Sequence, residues 1–269
     1  MTAIYTTISA LEYELVSHVL TLGYAAMAAA LFFFILTYKT NSPKYRMTVV
    51  LSVVVMVSAF LLLYKQQDNW EGAFALGADG SYTYLNNFSN GFRYLNWLID
   101  VPMLLIQILF VVGIAGVAFK KYFYRFAGFG VLMILTGYIG QFYEPNYGLD
   151  DSGNLAAWLI WGAISTVFYI FVLYYITQVL NEGRKNIAGS KAQGLFAVIR
   201  PLFYIAWTIY PVAYVMPLFA DLELLNFGSS IVSQQVLYTV ADISSKVVYG
   251  VILQIVSTIL SREQGYQEA

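Results

Sequence analysis

The segment GFRYLNWLIDVPMLLIQILFVV, residues 91–112, is almost wholly apolar but contains four polar side chains. They are Arg93, Asn96, Asp100 and Gln107, and the steps between them are three, four and seven residues. On an α-helix these steps return to one face, so the side chains form a column. From Asn96 to Gln107 the column rises about 16 Å, roughly half of the hydrocarbon core of a bilayer. Because polar groups are costly in such a segment, the column predicts a path through the protein.

A second polar pair lies near the end of the chain, in LYTVADISSKVVYGVIL. Asp242 and Lys246 are four residues apart, so their side chains share one face of a helix. One interpretation is a structural ion pair that neutralises itself. The other is a reactive amine, because burial favours the neutral, nucleophilic form of Lys246, which forms an imine with an aldehyde. Asp242 would then be the counterion of the protonated imine. The aromatic residues of 207–214, with Trp97 and Trp161, would enclose a long apolar aldehyde, although aromatic residues fill any membrane-protein interior.

The composition predicts a polytopic membrane protein. Of the 269 residues, 59% are hydrophobic and 11% are charged, whereas about 25% of the residues in a soluble domain are charged. The formal net charge of -1 argues against nucleic acid as a partner. The chain has no cysteine and a single histidine, His18, which argues against thiol chemistry and against Cys or His metal sites. The first residues lack a basic region followed by a short apolar core, so we expect no cleavable signal peptide.

Seven long apolar segments predict the fold class: an all-α membrane protein with a seven-transmembrane-helix bundle, forming a single domain over residues 1–269. Between the second and third segments, FALGADGSYTYL places a Gly-Ala-Asp-Gly turn between aromatic runs. This pattern predicts a short extracellular β-hairpin between helices 2 and 3. The predicted spans are 10–38, 46–67, 90–118, 121–143, 153–181, 194–219 and 231–261.

The charged residues between the spans predict the orientation. Basic residues cluster in the first, third and fifth connections, and acidic residues cluster in the other three. By the positive-inside rule the N-terminus is extracellular and the C-terminus is cytoplasmic. The basic set comprises Lys39, Lys44, Arg46, Lys120, Lys121, Arg125, Arg184, Lys185 and Lys191. The acidic set comprises Asp68, Glu71, Asp79, Glu144, Asp150, Asp151, Asp221 and Glu223, with Lys65 as the one basic residue among them.

Seven spans with a lysine midway along the last one, and Asp four residues before it, resemble the microbial rhodopsins. RYLNWLIDVP in the third span and WTIYP in the sixth match that family's pattern, and the similarity covers essentially the whole chain. The resemblance implies all-trans retinal linked to Lys246 as a protonated Schiff base and isomerised by light. The retinal pocket implied by the resemblance comprises Trp97, Met133, Gly137, Trp207, Tyr210, Pro211 and Ser245.

The third span also resembles one subfamily. In the family's proton pumps an acceptor carboxylate stands where this chain has Asn96, a Thr where it has Asp100, and usually a donor carboxylate where it has Gln107. The set Asn96, Asp100 and Gln107 is instead similar to the light-driven sodium pumps of bacteria, as are LVSHVLTLGY, VMVSAFLLLY and TGYIGQFYE. This implies an ion transporter, not an enzyme, in the inner membrane of a bacterium.

Electrostatics explains why such a pump needs these residues. A sodium ion cannot pass a protonated Schiff base, because two cations repel by several kcal/mol at an effective dielectric constant near 20. The proton must first move, and Asp100, one turn from Asn96, is the predicted counterion and proton acceptor. Hard cations prefer oxygen ligands, so Asn96 and the second counterion Asp242 form the predicted transient Na⁺ site. By resemblance, Ser58 hydrogen-bonds the Asp100 side in the pumping state.

The remaining pathway residues are assigned by resemblance. Gln107 and Ser52 belong to the cytoplasmic entrance, and Arg93 with Glu144 to the extracellular release side. Arg93 would act as a one-way gate that discourages the return of Na⁺. Two structural alternatives stay open: an interhelical hydrogen bond for Gln107, and snorkelling to the interface for Arg93.

Two further residues are predicted to lie where partner molecules bind. His18 lies just inside the first span, where a lone histidine is usually a packing residue, and the resemblance places it between protomers of a homopentamer. Gly162 stands where several rhodopsins have a bulky aromatic residue beside the retinal ring. It would leave an opening for a carotenoid antenna, as in members that dock one, and helix packing is the alternative explanation.

Four other functions compete with outward light-driven sodium transport. An outward proton pump is the closest, since Asp100 would accept the proton there too. A chloride pump is disfavoured because Asp100 and Asp242 place negative charge where the anion would bind. A sensory photoreceptor would couple to a separate transducer, although the tail SREQGYQEA contains no signalling module. A chromophore-free receptor or transporter would show no visible absorption band that depends on Lys246.

Overall fold

The structure is a computed structural model, and it describes residues 7–85, 88–145 and 153–267. Seven of its helical segments are long and apolar enough to cross a membrane, which confirms the predicted seven-helix bundle. In chain order the helices are α1 (Ala10–Thr37), α2 (Arg46–Gly72), α3 (Gly91–Val111), α4 (Gly116–Gln141), α5 (Leu155–Asn186), α6 (Gln193–Tyr214), the short α7 (Met216–Asp221), α8 (Phe227–Asp242) and α9 (Tyr249–Glu263). A π-helical turn (Ile243–Val248) joins α8 to α9, and these three pieces form the seventh span.

Several helix starts are fixed by side-chain caps. At the start of α1, Ser9 Oγ accepts a hydrogen bond from the Glu12 backbone N–H at 3.2 Å, and Glu12 Oε2 accepts one from the Ser9 backbone N–H at 2.8 Å. This reciprocal capping box satisfies two backbone donors that a helix start leaves free. Asn154 and Asn226 cap α5 and α8 more simply, each through a side-chain oxygen that accepts one backbone hydrogen bond.

The third connection differs from the sequence prediction. The predicted span 90–118 ends early, because α3 stops at Val111 and α4 already begins at Gly116. Gly113 and Gly116 have φ values of 69° and 60°, a left-handed backbone conformation that favours glycine and stops the helix. The basic side chains of KKYFYR therefore lie in the first turns of α4, at the inner end, and not in a separate connection. These residues are Lys120, Lys121 and Arg125.

The predicted sixth span 194–219 is also shorter than expected, since α6 ends at Tyr214 and α7 forms a separate short helix. Pro217 occupies the second position of α7, where a missing backbone N–H costs nothing. The acidic residues Asp150 and Asp151 of the fourth connection lie outside the described residues.

The predicted β-hairpin is present between α2 and α3. Strands β2 (Phe74–Leu76) and β3 (Tyr82–Tyr84) pair antiparallel, with Phe74 opposite Tyr84. Strand β1 (Thr7–Ile8), which precedes α1, adds to the other edge of β3 and completes a three-stranded sheet in the order β1-β3-β2. We call the end of the bundle that holds this sheet the outer end, following the orientation that the charges predict, and the opposite end the inner end.

The bundle interior combines an apolar core with a polar column. Apolar side chains from the spanning helices form one continuous buried cluster that includes Trp97, Leu105, Phe203, Trp207 and Tyr249. Arg93, Asn96, Asp100 and Gln107, predicted to share one face of the third span, are all buried on α3. The column therefore faces other helices, and the snorkelling alternative for Arg93 is wrong because its side chain is 0% exposed.

Candidate functional site

The site centres on Lys246, which lies in the π-helical turn of the seventh span and is 1% exposed. Its Nζ donates a hydrogen bond to Asp242 Oδ1 at 2.7 Å and lies 3.2 Å from Asp100 Oδ2. It also donates a hydrogen bond to Asn96 Oδ1. The predicted site residues Asn96 and Asp100 on α3 and Asp242 on α8 therefore all lie beside the Lys246 nitrogen.

The Asp242 carboxylate accepts four hydrogen bonds in the site. Its Oδ1 accepts hydrogen bonds from Trp97 Nε1 at 3.0 Å and from the Tyr210 hydroxyl at 2.8 Å, in addition to the one from Lys246. Its Oδ2 accepts one from Arg93 Nη1 at 3.0 Å. The carboxylate thus pairs with two buried cations, and Asp100 supplies the second negative charge that balances them.

Asp100 and Asn96 form a more loosely bonded pair. Asn96 Nδ2 donates to Asp100 Oδ2 at 2.6 Å and to Ser58 Oγ at 3.0 Å. Asp100 Oδ1 is buried and accepts no hydrogen bond from the described residues. A carboxylate that lies next to a donor nitrogen and has one buried oxygen without a hydrogen bond is suited to take up a proton, because fewer hydrogen bonds stabilise its charged form. Ser58 thus contacts the Asn96 amide, one hydrogen bond away from Asp100.

We expect Asp242→Asn to lower the free energy of unfolding by about 3–5 kcal/mol, because it leaves Arg93 and Lys246 buried without their shared anion. Unfolding by sodium dodecyl sulfate in mixed micelles, followed by circular dichroism, measures the change. Asp68→Asn is the matched control, since Asp68 pairs with Lys65 on the surface, where both side chains are more than half exposed. It should change the stability by less than about 1 kcal/mol. Equal losses in both variants would contradict the assigned role of Asp242.

A cavity of ≈310 Å³ adjoins Lys246 and runs between the spanning helices. Its wall is mostly apolar and aromatic, with a few polar side chains such as Ser165, Thr166 and Ser245. Trp161, which sequence analysis offered as a possible wall residue, does not appear among the described residues that line the cavity, and its Cβ lies beside Gly140 instead. All seven residues predicted for a retinal pocket line the cavity: Trp97, Met133, Gly137, Trp207, Tyr210, Pro211 and Ser245.

Two glycines shape the cavity wall. A Cβ on Gly137 would lie 2.9 Å from Tyr94 Cε1, and one on Gly162 would lie 2.6 Å from Tyr214 Cε1. Both distances are shorter than van der Waals contact, so close packing against tyrosine rings requires glycine at both positions. For Gly162 this supports the helix-packing explanation that sequence analysis left open.

The inner part of the column is separate from the lysine. Gln107 Nε2 donates to Ser52 Oγ at 2.7 Å and to the Thr48 carbonyl oxygen at 3.1 Å, which ties α3 to α2. This is the interhelical hydrogen bond that sequence analysis offered as the structural alternative. Gln107 Oε1, however, is buried and accepts no hydrogen bond from the described residues. One oxygen therefore remains available to a ligand or water.

At the outer end, Arg93 and Glu144 are connected but do not touch. Arg93 Nη2 donates to Gln235 Oε1 at 3.2 Å, and Gln235 Nε2 donates to Gln234 Oε1 at 3.2 Å. Gln234 Nε2 in turn donates to Glu144 Oε1 at 2.6 Å. Removal from water raises the pKa of Glu144 to about 7, although hydrogen bonds from Gln234 and Asn90 act in the opposite direction. A chain of amides thus leads from the buried ion pair to a carboxyl group at the outer end.

Most of the α8 side chains in this chain of contacts were not predicted from the sequence. Gln235, Thr239 and Asp242 are spaced by four and three residues, so they share one face of a helix. Thr239 Oγ1 accepts a hydrogen bond from Arg93 Nη2 at 2.9 Å. The same spacing argument that identified the α3 column would have identified this second column.

Together, the fold and the site define a class: seven-helix membrane proteins with a buried lysine in the wall of a mostly apolar cavity. The model of the bacteriorhodopsin-like protein family matches residues 14–260 of this chain. The chain therefore belongs to this family, and the predicted membership of the microbial rhodopsins is confirmed. It is accordingly a multi-pass membrane protein of a family of light-driven ion pumps, which are transporters and not classical enzymes.

Solved structures and other relatives agree with this assignment. The structure of xanthorhodopsin, a light-driven ion pump with a dual chromophore, superimposes with a TM-score of 0.84 at 28% identity, covering 98% of this chain and 100% of that one. A thermophilic rhodopsin gives a TM-score of 0.84 at 27% identity, covering 97% and 100%. The green-light absorbing proteorhodopsin of a gamma-proteobacterium is 25% identical over 237 residues, 85% of this chain and 81% of the relative.

Membership of the family implies a retinal chromophore, and the residues present fit one. The cavity is lined mostly by apolar and aromatic side chains, as a polyene requires, and its wall includes a lysine amine that can bind an aldehyde. Two carboxylates lie within 3.2 Å of that amine nitrogen and would balance a positive charge on it. Lys246 would hold the chromophore, and the cavity wall would fix its position.

Proposed function

We propose that this protein is a light-driven outward sodium pump. One observation carries the proposal: the oxygens that Lys246 Nζ contacts, Asn96 Oδ1 and Asp242 Oδ1, are the ligand types that a hard cation prefers. The protonated lysine nitrogen thus occupies the place that a sodium ion would take. A switch of that nitrogen between charged and neutral forms would therefore close and open the site.

When bound at Lys246, retinal supplies the absorption of visible light and the change of shape that follows it. The first step that the protein's own residues carry out is a proton transfer from the Lys246 nitrogen. Asp100 Oδ2, 3.2 Å from Lys246 Nζ, is the acceptor that we propose, because Asp242 already accepts hydrogen bonds from Arg93, Trp97 and Tyr210. After the transfer both the lysine nitrogen and Asp100 are neutral, and the remaining Arg93–Asp242 pair has no net charge.

The loss of the lysine charge removes the main barrier to a sodium ion. Two unit charges 4 Å apart repel by about 4 kcal/mol at an effective dielectric constant of about 20. Without that repulsion Na⁺ would bind Asn96 Oδ1 and Asp242 Oδ1. Ser58, which already accepts a hydrogen bond from Asn96 Nδ2 at 3.0 Å, would hold the amide in place. In this proposal the ion enters from the inner end past Gln107 and Ser52.

Directionality is assigned to Arg93. Its guanidinium lies on the outer side of Asp242 and is held by Gln235, Thr239 and Asp242 itself. When the lysine nitrogen regains its proton, two cations flank the Asp242 carboxylate, which favours release of Na⁺. The fixed positive charge then discourages the ion from returning, and Glu144 lies beyond it on the release side.

We also propose a cellular setting for the protein. We place the protein in the inner membrane of a bacterium, as a homopentamer with His18 at the contact between protomers. The His18 side chain is 78% exposed and lies 3.6 Å from the Glu14 carboxylate on the same helix, so it is accessible to a neighbour. A carotenoid antenna near Gly162 would need the Tyr214 ring beside this glycine to leave a lipid-facing opening.

Light-driven pH changes test the proposed function. Cells that express the protein with retinal are illuminated in NaCl, and the external pH is recorded with and without a protonophore. Outward Na⁺ transport makes the inside negative, so protons enter passively, and we expect alkalinisation that grows with protonophore. The signal should vanish when K⁺ replaces Na⁺.

Three other results would overturn the proposal. Acidification that the protonophore abolishes would identify an outward proton pump, in which Asp100 accepts the same proton but no sodium follows. A coloured protein that produces no pH change under any condition would indicate a sensory photoreceptor. A protein with no visible absorption band would point to a chromophore-free receptor or transporter.

A further inference from the structure

Three pairs of side chains join α5 to α6 by hydrogen bonds along the surface of the bundle, and we call this line of contacts the α5–α6 seam. The α6 members of these pairs are four residues apart, so they lie on one face of that helix. From the outer end to the inner end, the pairs are Tyr169–Thr208, whose oxygens are 3.0 Å apart, Thr177–Tyr204 and Asn181–Arg200. The first two pairs are hydroxyl groups that bond each other, whereas the third contains a positive charge.

The charge of Arg200 has no anionic partner within the described part of the chain. None of the ion pairs there includes it, and its Nε is buried without an acceptor. Asn181 Oδ1 accepts a hydrogen bond from its Nη2 but carries no charge. The neighbouring carboxylate, Glu182, projects about 100° away from Asn181 around α5 and interacts with Tyr122 of α4. Because an unpaired cation on a membrane-spanning helix is costly, Arg200 favours a negatively charged partner from outside the chain.

The position of Arg200 in the membrane indicates the kind of partner. Its Cα lies seven residues beyond Gln193, the first residue of α6, which corresponds to about 10 Å along the helix. Its guanidinium group reaches Asn181, where the predicted fifth span 153–181 ends. Arginine side chains extend in this way to keep the charged group near the membrane surface. The guanidinium therefore lies near the inner edge of the hydrocarbon core, where the phosphate groups of phospholipids begin.

Two more cations lie beside this position. Arg184 and Lys185 are exposed and follow Asn181 by three and four residues, so they project from the same side of α5. Neither takes part in an ion pair between described residues. The inner end of the α5–α6 seam therefore presents three positive charges, and a guanidinium group can bind two oxygens of one phosphate group.

We propose that Arg200, Arg184 and Lys185 bind the phosphate group of an anionic phospholipid in the inner leaflet. Exposed apolar side chains beside the α5–α6 seam, Ile170 and Ile205, contact its acyl chains. A lipid with a net negative charge is favoured over a zwitterionic one, because a choline group would add a fourth cation to the site. The inference is independent of the transported ion, since none of these residues belongs to the site around Lys246.

Native mass spectrometry tests the site by counting the lipids that the purified, retinal-bound protein carries out of detergent micelles. The protein is titrated with phosphatidylglycerol or with phosphatidylcholine of the same acyl chains, and we expect it to bind phosphatidylglycerol more tightly. Arg200→Gln should weaken that binding by about tenfold or more, the usual effect of losing a charge-assisted hydrogen bond. Lys185→Gln should weaken it by about fivefold. The matched control, Arg262→Gln, removes an exposed cation elsewhere at the inner end and should bind lipid like the parent protein.

The same variants separate a lipid site from its alternatives. Retention of the visible absorption band shows that a variant is folded, and if Arg200→Gln loses the band, Lys185→Gln decides alone. Unchanged binding of phosphatidylglycerol in a folded variant, or equal binding of both lipids by the parent protein, would overturn the site. An equal loss in Arg262→Gln would also overturn it, because only the total charge of the inner end would then matter. Inorganic phosphate, compared with sodium chloride of equal ionic strength, should not displace the lipid. Displacement that depends on Arg200 would identify a site for a soluble anion instead.

Discussion

Replacing Lys246 with alanine is expected to abolish the visible absorption band of protein that is expressed with retinal. Lys246 is the one lysine among the described residues that line the apolar cavity, so no other amine there can bind an aldehyde. The loss should be complete and not graded, because a covalent attachment either forms or does not. Absorption spectra of the purified variant, recorded after incubation with retinal, measure the outcome.

The control for this change is Lys65→Ala. Lys65 is half exposed at the end of α2, where it pairs with Asp68, and its removal should leave the band in place. Circular dichroism of both variants checks that the helices remain. A Lys246→Ala protein with a normal visible band would show that the chromophore attaches elsewhere, and the assignment of the site would then fail.

The second large effect is expected for Asp100→Asn. The variant replaces the carboxylate with an amide of the same size, which cannot accept the proton from Lys246 Nζ, 3.2 Å from Asp100 Oδ2 in the parent protein. A positioned proton acceptor contributes about 10²–10⁴-fold to a rate, so we expect light-driven ion transport to fall about 100-fold or more. Measurement of the external pH under illumination gives the rate, and the absorption band shows that the chromophore is still bound.

Asp68→Asn serves as the comparison, since it makes the same chemical change on the surface near the outer end and should transport ions normally. The alternative acceptor is Asp242, the other carboxylate that contacts Lys246 Nζ. Transport at the parent rate in a folded Asp100→Asn protein would mean that Asp242 accepts the proton despite its hydrogen bonds to Trp97 and Tyr210.

Structural features that depend on residues a few positions apart in the sequence were predicted well. The α3 column follows from steps of three, four and seven residues, and the Asp242–Lys246 pair follows from a step of four. The hairpin between α2 and α3 follows from the Gly-Ala-Asp-Gly turn, in which Gly80 has a φ of 80° and Asp79 accepts a hydrogen bond from the Ser81 N–H at 3.0 Å. Each of these patterns is local, so the helical or turn periodicity alone positions the side chains.

Contacts between distant segments were not predictable in the same way. Arg93 and Asp242 are 149 residues apart, and only the packing of α3 against α8 brings them together. The pairing of Thr7 with Thr83, which adds β1 to the hairpin, also joins segments that are far apart in sequence. The C-terminal ends of the third and sixth spans were placed wrongly, because apolar composition does not show where a glycine or a short extra helix interrupts the backbone.

The π-helical turn at Ile243–Val248 sets the rotational phase of the last span. Such a turn holds one residue more than an α-helical turn, and one residue corresponds to about 100° of rotation about the axis. Beyond the turn, Gln254 is 2% exposed while the adjacent Ile255 is 42% exposed. In an uninterrupted α-helix Gln254 would point in the direction that Ile255 now takes, toward lipid. The extra residue thus keeps the polar faces on both sides of Lys246 turned toward the interior of the bundle.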